Sequence, residues 1–418
     1  MLDCYTSKFS YFNNELVNLK INSSSDLYSI KIYKFNTLEI IYTDFCKEQK
    51  IYKQKINESK FLFIDGYNYI TNYTIDLNNY NSGLYFIEIK NNDGNEYFLP
   101  INIKNKDYNC KNLVLLNSNT WNAYNEAGGA SFYRYYLDFK SEYGPLGKKI
   151  PSDNIGVTFD RPFDKLSDNI SFFIKNDGEI KEKYDHLFYG ELRLLKFMEL
   201  NNIKYDLLDD LDLHNNLIDL SKYNNFILNC HPEYWSVEML KNVKENANHI
   251  ISFAGNVAYR KVIYKNNKIY GRVGCFSSDD LKNITGSFYS SSGADTYAPY
   301  KIFDNKHILF QNINNDVFGK NNLNNYKRNV EDGISGHETD KKIKSVNTNI
   351  IASGLNRDKN ISVVGGGGDI LYFSIKKDNS SNIRNILSVG SIVFTGGLFI
   401  DKDTEIFCKN VFSIFNAI

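Results

Sequence analysis

Phe226-Ile-Leu-Asn-Cys-His-Pro-Glu-Tyr-Trp-Ser236 decides how the chain is read. It starts as a short apolar strand and ends at Ser236. A serine hydroxyl there can accept from the open backbone N–H groups of a helix's first turn. Val237, Leu240, Val243 and Ala247 then recur at helical spacing. Between strand and helix lie Cys230, His231, Glu233, Tyr234 and Trp235. In open α/β sheets, ligands bind at the carboxyl ends of strands, where the next helix presents its N-terminus. A thiol, an imidazole and a carboxylate at such a turn mark a candidate site. The competing reading is a structural turn around a partly buried tryptophan.

Outward from this stretch, strands and helices alternate. Leu113-Val-Leu-Leu116 reads as a strand covered on both faces. Glu191–Leu200 reads as a helix, Tyr205–Leu208 as a strand, Leu217–Tyr223 as a short helix and His249–Gly255 as a strand. The pattern predicts a parallel, doubly wound α/β domain. Upstream the period is two: Val17, Leu19 and Ile21 alternate with polar residues, as do Tyr85, Ile87 and Ile89. Asp93-Gly94 between alternating runs signals a hairpin. This predicts an immunoglobulin-like β-sandwich. The expected division is 1–108 and 109–418. Beyond Asn256 the pattern turns irregular and β-rich. Gly333-Ile-Ser-Gly-His-Glu-Thr-Asp340 there carries His337 beside Glu338. Gly365–Gly368 lacks the Lys and Ser/Thr of a P-loop and precedes no helix, which argues against a nucleotide site. Ile392–Leu398 reads as a buried strand with a tight turn.

A chain of 418 residues fits two or three domains. Lys and Arg balance Asp and Glu at 49 each, so overall charge favours neither nucleic acid nor an anionic membrane. The six cysteines are far apart and form no CxxC pair, which excludes an obvious zinc cluster or disulfide framework. No signal peptide and no run of membrane-spanning length is read. The expectation is a cytoplasmic protein with free thiols. Trp121, in Asn117–Gly129, and Trp235 are the chain's two tryptophans, and both fall in polar-rich segments that suit the walls of a small-molecule pocket; the alternative is two tryptophans in a core. His186, His214, His249 and His307 sit singly and read as surface or capping residues.

Three segments together resemble the large subunit of N,N-dimethylformamidase and its relatives. They are Thr120-Trp-Asn-Ala-Tyr-Asn with Gly128-Gly129, Thr158-Phe-Asp-Arg-Pro162, and His231-Pro-Glu-Tyr-Trp-Ser236. Ser252-Phe-Ala-Gly-Asn256 and Val393-Phe-Thr-Gly-Gly397 are weaker matches. The resemblance implies a flavodoxin-like fold of the class I glutamine amidotransferase kind with a β-domain attached. It also implies one iron held by two tyrosines and a glutamate. Tyr124 matches the first tyrosine and Glu233 the glutamate. Phe163 stands where the second tyrosine belongs and has no oxygen to give, so weak iron binding or none is expected unless another residue moves in. Pro232 and Leu398-Phe-Ile400 replace acids of the family pattern.

The expected function is a hydrolase of a small amide or other C–N bond, using a degenerate mononuclear metal site. In it, His231 moves a proton and Asn256 donates to the oxyanion. Trp121, Phe163, Tyr234 and Trp235 form the expected substrate pocket. Expected partners are the amide and either a small subunit or further copies of the chain, with no nucleic acid or membrane. Two alternatives stand beside it. One is a metal-free binding or scaffold protein that kept the fold. The other is an amidotransferase-like enzyme using Cys230, although Asn229-Cys-His-Pro lacks the glycines of a nucleophile elbow.

Overall fold

The computed structural model describes residues 1–46, 52–59, 61–104, 107, 110–133, 156–180, 185–271, 273–290, 296–321, 332–357, 366–377 and 382–418. From Leu2 to Lys104 the strands form two sheets. One is antiparallel and ordered Leu2–Tyr5, Leu16–Ser23, Tyr73–Asp76. The other is ordered Ser10–Phe12, Glu96–Lys104, Gly83–Asn91, Tyr28–Lys34, Ile40–Cys46. The Gly83–Asn91 hairpin turns at Gly94, whose φ of +82° lies in the left-handed region that glycine enters freely. Val17, Ile30, Ile87 and Ile101 belong to one shared core. Phe86 and Phe98 belong to a second core, with Trp121, Phe163, Phe173 and Phe188. Burial on both faces explains the consecutive apolar residues of Gly83–Asn91 and Glu96–Lys104. The expected division between residues 108 and 109 lies outside the described residues.

The main sheet has nine strands, ordered Tyr205–Asp209, Asn112–Leu116, Asn225–Cys230, His249–Ala254, Ile383–Ser388, Asp369–Lys376, Ile350–Gly354, Tyr300–Ile302, Val317–Phe318. Its first five strands are parallel. The remaining four join by antiparallel pairing. This corrects the expectation of a doubly wound, flavodoxin-like α/β domain. Among the described residues the chain is mostly β, with 26 strands against eight α-helices. The physical reason lies in the connections. A parallel neighbour needs a long crossover, whereas an antiparallel one returns directly. Helical crossovers join the early strands. Asp369–Lys376 instead pairs antiparallel with the next strand, Ile383–Ser388. Ile392–Leu398 is no strand either, because Phe394–Gly397 is a buried 3-10 helix.

This sheet sets the place of the site. Asn112–Leu116, Asn225–Cys230 and His249–Ala254 are parallel, so the turns that follow them leave from one edge. The strands Ser335–Gly336 and Thr339–Lys342, which pair with Tyr297–Ala298 and Ser287–Ser290, reach the same edge, with Asp340 N donating to Gly390 O at 2.9 Å.

A buried ion pair ties the two parts of the chain together. Lys104 meets Asp212, and neither side chain exceeds 4% exposure. Asp212 and Asp209 form a reciprocal capping box on the short helix Asp210–His214. Burial, and after it the Asp212 charge, raises the Asp209 carboxyl from 3.8 to about 7. A carboxyl raised in this way binds its proton more tightly in the folded chain than in the unfolded one. Its stability contribution is therefore complete below 3.8 and is lost as pH rises through about 7. Asp209→Asn keeps a cap acceptor and removes the charge. It is expected to gain on the order of 1–3 kcal/mol near pH 8 and to lose that advantage near pH 3. Urea unfolding of both proteins at the two pH values checks this, and a gain independent of pH would rule out charge as its cause.

Candidate functional site

Each side chain of the site is delivered by a turn at the sheet edge. Asn112–Leu116 feeds the short helix Ser118–Tyr124. Trp121 faces the core, where its Nε1 donates to Glu191 Oε1 at 2.6 Å and its rings meet Phe9 and Phe188 edge-on. Tyr124, at the helix end, faces the site. The chain then loops through Gly128, whose φ is +83°. A Cβ on Gly128 would lie 2.6 Å from Phe63 N, so the loop passes too close to the backbone for a larger residue. Phe132 N donates to Ala123 O at 2.9 Å and closes the loop. Tyr133 is thereby stacked on Tyr124, with ring centroids 4.2 Å apart and planes at 27°.

Arg161 holds this loop. It is fully buried. Its Nε donates to Thr158 O, Nη1 to Ala127 O and Ala130 O, and Nη2 to Asn122 O and Oδ1, at distances from 2.8 to 3.1 Å. All these acceptors are carbonyl oxygens.

At the strand end, Cys230 has a φ of +59° and turns the chain sharply. Its thiol packs in a small cluster with Tyr297, Ile392 and Val393. The next side chain, His231, enters the site. Asn256 also has positive φ, +51°, and its backbone N donates to Asp340 Oδ1 at 2.8 Å. Asp340 thus fixes the turn that aims the Asn256 amide.

The groups converge on His231 Nε2. It lies 3.1 Å from Glu338 Oε2, 3.3 Å from Asn256 Nδ2 and 3.4 Å from Glu233 Oε2. Asn256 Nδ2 donates to Glu338 Oε2 at 2.6 Å. The Tyr133 hydroxyl donates to Glu233 Oε2 at 3.0 Å and shares a hydrogen bond with the Tyr234 hydroxyl at 2.5 Å. Arg260 Nε lies 3.7 Å from Glu233 Oε1.

Electrostatics split the two glutamates. Burial raises Glu233 to about 7, with His231 opposing and Glu338 adding to the rise. Burial also acts on Glu338, but the hydrogen bond and charge of His231 outweigh it and hold that carboxyl below its ordinary value. His231 loses proton affinity by burial yet ends above its ordinary value, because Glu338 and then Glu233 favour the imidazolium. Desolvation, followed by the charges of Glu233 and Glu338, pushes the Tyr124 phenol well up. Paired carboxyls pushed apart in this way are a common basis for dividing acid and base roles.

Tyr124, His231, Glu233, Tyr234 and Asn256 are therefore brought together. Trp121 and Phe163 lie in one aromatic core and Trp235 in another. Phe163 packs edge-on against Phe9 at 5.1 Å, and its backbone N donates to Tyr97 Oη at 2.8 Å. Sequence reasoning missed Tyr133, for which the signal was the Gly128-Gly129 turn that doubles the chain back on Tyr124. His186, read as a surface or capping residue, is buried instead. Its ring lies 5.0 Å from those of Tyr124 and His337 and 5.4 Å from that of His231.

The chain belongs to the N,N-dimethylformamidase beta subunit-like family, whose C-terminal region matches residues 63–405. That family is dimethylformamidase-like, which supports a hydrolase. No curated protein matches the sequence. Among solved structures, one similar chain is a DUF3244 family protein with an immunoglobulin-like β-sandwich fold from Bacteroides vulgatus. It is 15% identical, covering 22% of this chain and 77% of that one, at a TM-score of 0.16. Another is a Paenibacillus sp. cycloisomaltooligosaccharide glucanotransferase complexed with cycloisomaltoheptaose. It is 10% identical, covering 90% of this chain and 60% of that one, at a TM-score of 0.21. Likenesses this distant carry no argument about fold or function. Among the described residues, no helix is long and apolar enough to cross a membrane.

Proposed function

We propose that the chain hydrolyses small amides at the His231, Glu233, Asn256 and Glu338 cluster, working with a partner subunit as the family's beta-subunit name suggests. The carrying observation is that one imidazole nitrogen lies within 3.4 Å of two carboxylates and a side-chain amide. Family membership supplies the bond class.

The Glu338 side chain is 24% exposed and that of Glu233 is 4% exposed, so Glu338 is the carboxylate that meets an entering water. It accepts a proton as the water oxygen attacks the amide carbon. Asn256 Nδ2 donates to the carbonyl oxygen as negative charge builds there. Glu338 passes that proton to His231 Nε2, 3.1 Å away, and His231 delivers it to the leaving nitrogen as the C–N bond breaks, releasing a carboxylic acid and an amine.

The resemblance adds an iron to this site. Among the described residues, no three His, Cys, Asp or Glu side chains are arranged to hold a metal between them. Donors there would be phenol oxygens with one carboxylate. Tyr124 and Glu233 are hard oxygen donors of the kind that fits ferric iron. Desolvation and neighbouring negative charge disfavour the ionised form of each, a setting that a cation relieves. Iron bound there would polarise the amide carbonyl and acidify a water.

The test is amine release from a series of formamides and acetamides by the purified chain. Asn256→Ala is expected to slow it by roughly 10²–10³-fold. An unchanged rate would count against the assignment.

A further inference from the structure

We infer that Tyr133 supplies the second phenol of the metal site, alongside Tyr124 and Glu233. This rests on the hydrolase reading of the same cluster. The family pattern asks for a phenol at the Arg161-Pro162 turn, where Phe163 stands. Phe163 is 4% exposed, packs against Phe9 and is held at its backbone by Tyr97. Its ring belongs to the core shared with the sandwich, so a hydroxyl added there would meet aromatic carbon.

Tyr133 meets the requirement from a different segment. Its hydroxyl lies 3.0 Å from Glu233 Oε2, and its ring is stacked on that of Tyr124. The Tyr234 hydroxyl stands beside it at 2.5 Å and can keep a hydrogen bond to a phenolate. The arrangement is built rather than incidental. Arg161 grips Ala127 and Ala130, and the Phe132–Ala123 hydrogen bond closes the loop just before Tyr133. The ligand is a hard trivalent cation. As ferric iron enters, the two phenol protons leave to solvent. Two phenolates and the Glu233 carboxylate then balance its three charges.

The experiment uses the full chain, freed of metal by chelation and offered ferric nitrilotriacetate. Iron per chain and phenolate-to-iron charge-transfer absorption are read after desalting. The wild type is expected to retain about one iron and to be coloured. Tyr133→Phe keeps the ring stack, and its thermal unfolding should match the wild type. It is expected to hold iron at least roughly tenfold more weakly, since even supporting groups around a metal are worth that much. Tyr124→Phe should behave in the same way, and Tyr133→His, which restores a donor, should recover part of the iron. Phe163→Tyr should gain neither iron nor colour. Wild-type iron and colour in Tyr133→Phe, with loss in Tyr124→Phe, would overturn the role of Tyr133. A wild type that hydrolyses amides and takes up no iron would overturn the metal inference and leave the hydrolase standing. Iron and colour that depend on Tyr133, in a protein that hydrolyses no amide, would support the inference and defeat the hydrolase.

Discussion

His231→Gln is expected to slow amide hydrolysis by roughly 10²–10⁴-fold while the protein still folds. Glutamine can donate a hydrogen bond to Glu338 and fill much of the same space. It cannot take up a proton near neutral pH and hand it on. His231 is 1% exposed and its Nε2 faces both carboxylates, so solvent is poorly placed to do the work instead. Proton transfer belongs to the transition state, so the loss should fall on kcat with KM little changed. Steady-state kinetics of both proteins check this. A loss confined to KM would show that His231 binds substrate and does not move a proton.

Arg161→Met should cost roughly 3–5 kcal/mol of stability. The guanidinium is buried with carbonyl oxygens as its acceptors. Methionine fits the volume but leaves buried carbonyls at Asn122, Ala127, Ala130 and Thr158 without this donor, each worth about 1–3 kcal/mol if left unpaired. Part of the cost is recovered because a charge no longer needs burying. Lysine should rescue little, since a single ammonium cannot span acceptors laid out for a planar fork. The same loop carries Tyr124 and Tyr133, so their stacking should loosen too. Urea unfolding and tyrosine near-UV circular dichroism measure both effects. A loss under about 1 kcal/mol would mean that the carbonyls find other donors.

The strand-turn-helix from Phe226 to Asn246 was legible because its signals are local: an apolar run, a serine cap and helical spacing. The cap is present, with Ser236 Oγ accepting from Met239 N at 3.2 Å. The second half of the main sheet was not legible as such. Residues 300–388 looked irregular because antiparallel pairing is set by distant partners, as with Tyr300 beside Gly354. The flavodoxin-like expectation rested on the early helix-strand alternation and on the family resemblance, and neither describes this antiparallel half.

The site divides along the same line. His231, Glu233 and Asn256 follow strand ends and Tyr124 ends the short helix after another strand, positions that sequence can find. Glu338 reaches them from more than 80 residues downstream of Asn256, at a residue separation of 82, and only folding brings it within 2.6 Å. For Trp121 and Trp235 the sequence left pocket wall and core both open, because their neighbours in sequence are polar. Their rings pack into two separate cores, and the polar residues beside them tie turns together.

In the proposed mechanism His231 and Glu338 act as one proton-handling unit on an amide. A double-mutant cycle on kcat/KM for amine release, with His231→Gln, Glu338→Gln and the pair, tests it most directly. The double variant is expected to be hardly slower than either single one. Losses that multiply independently would contradict it.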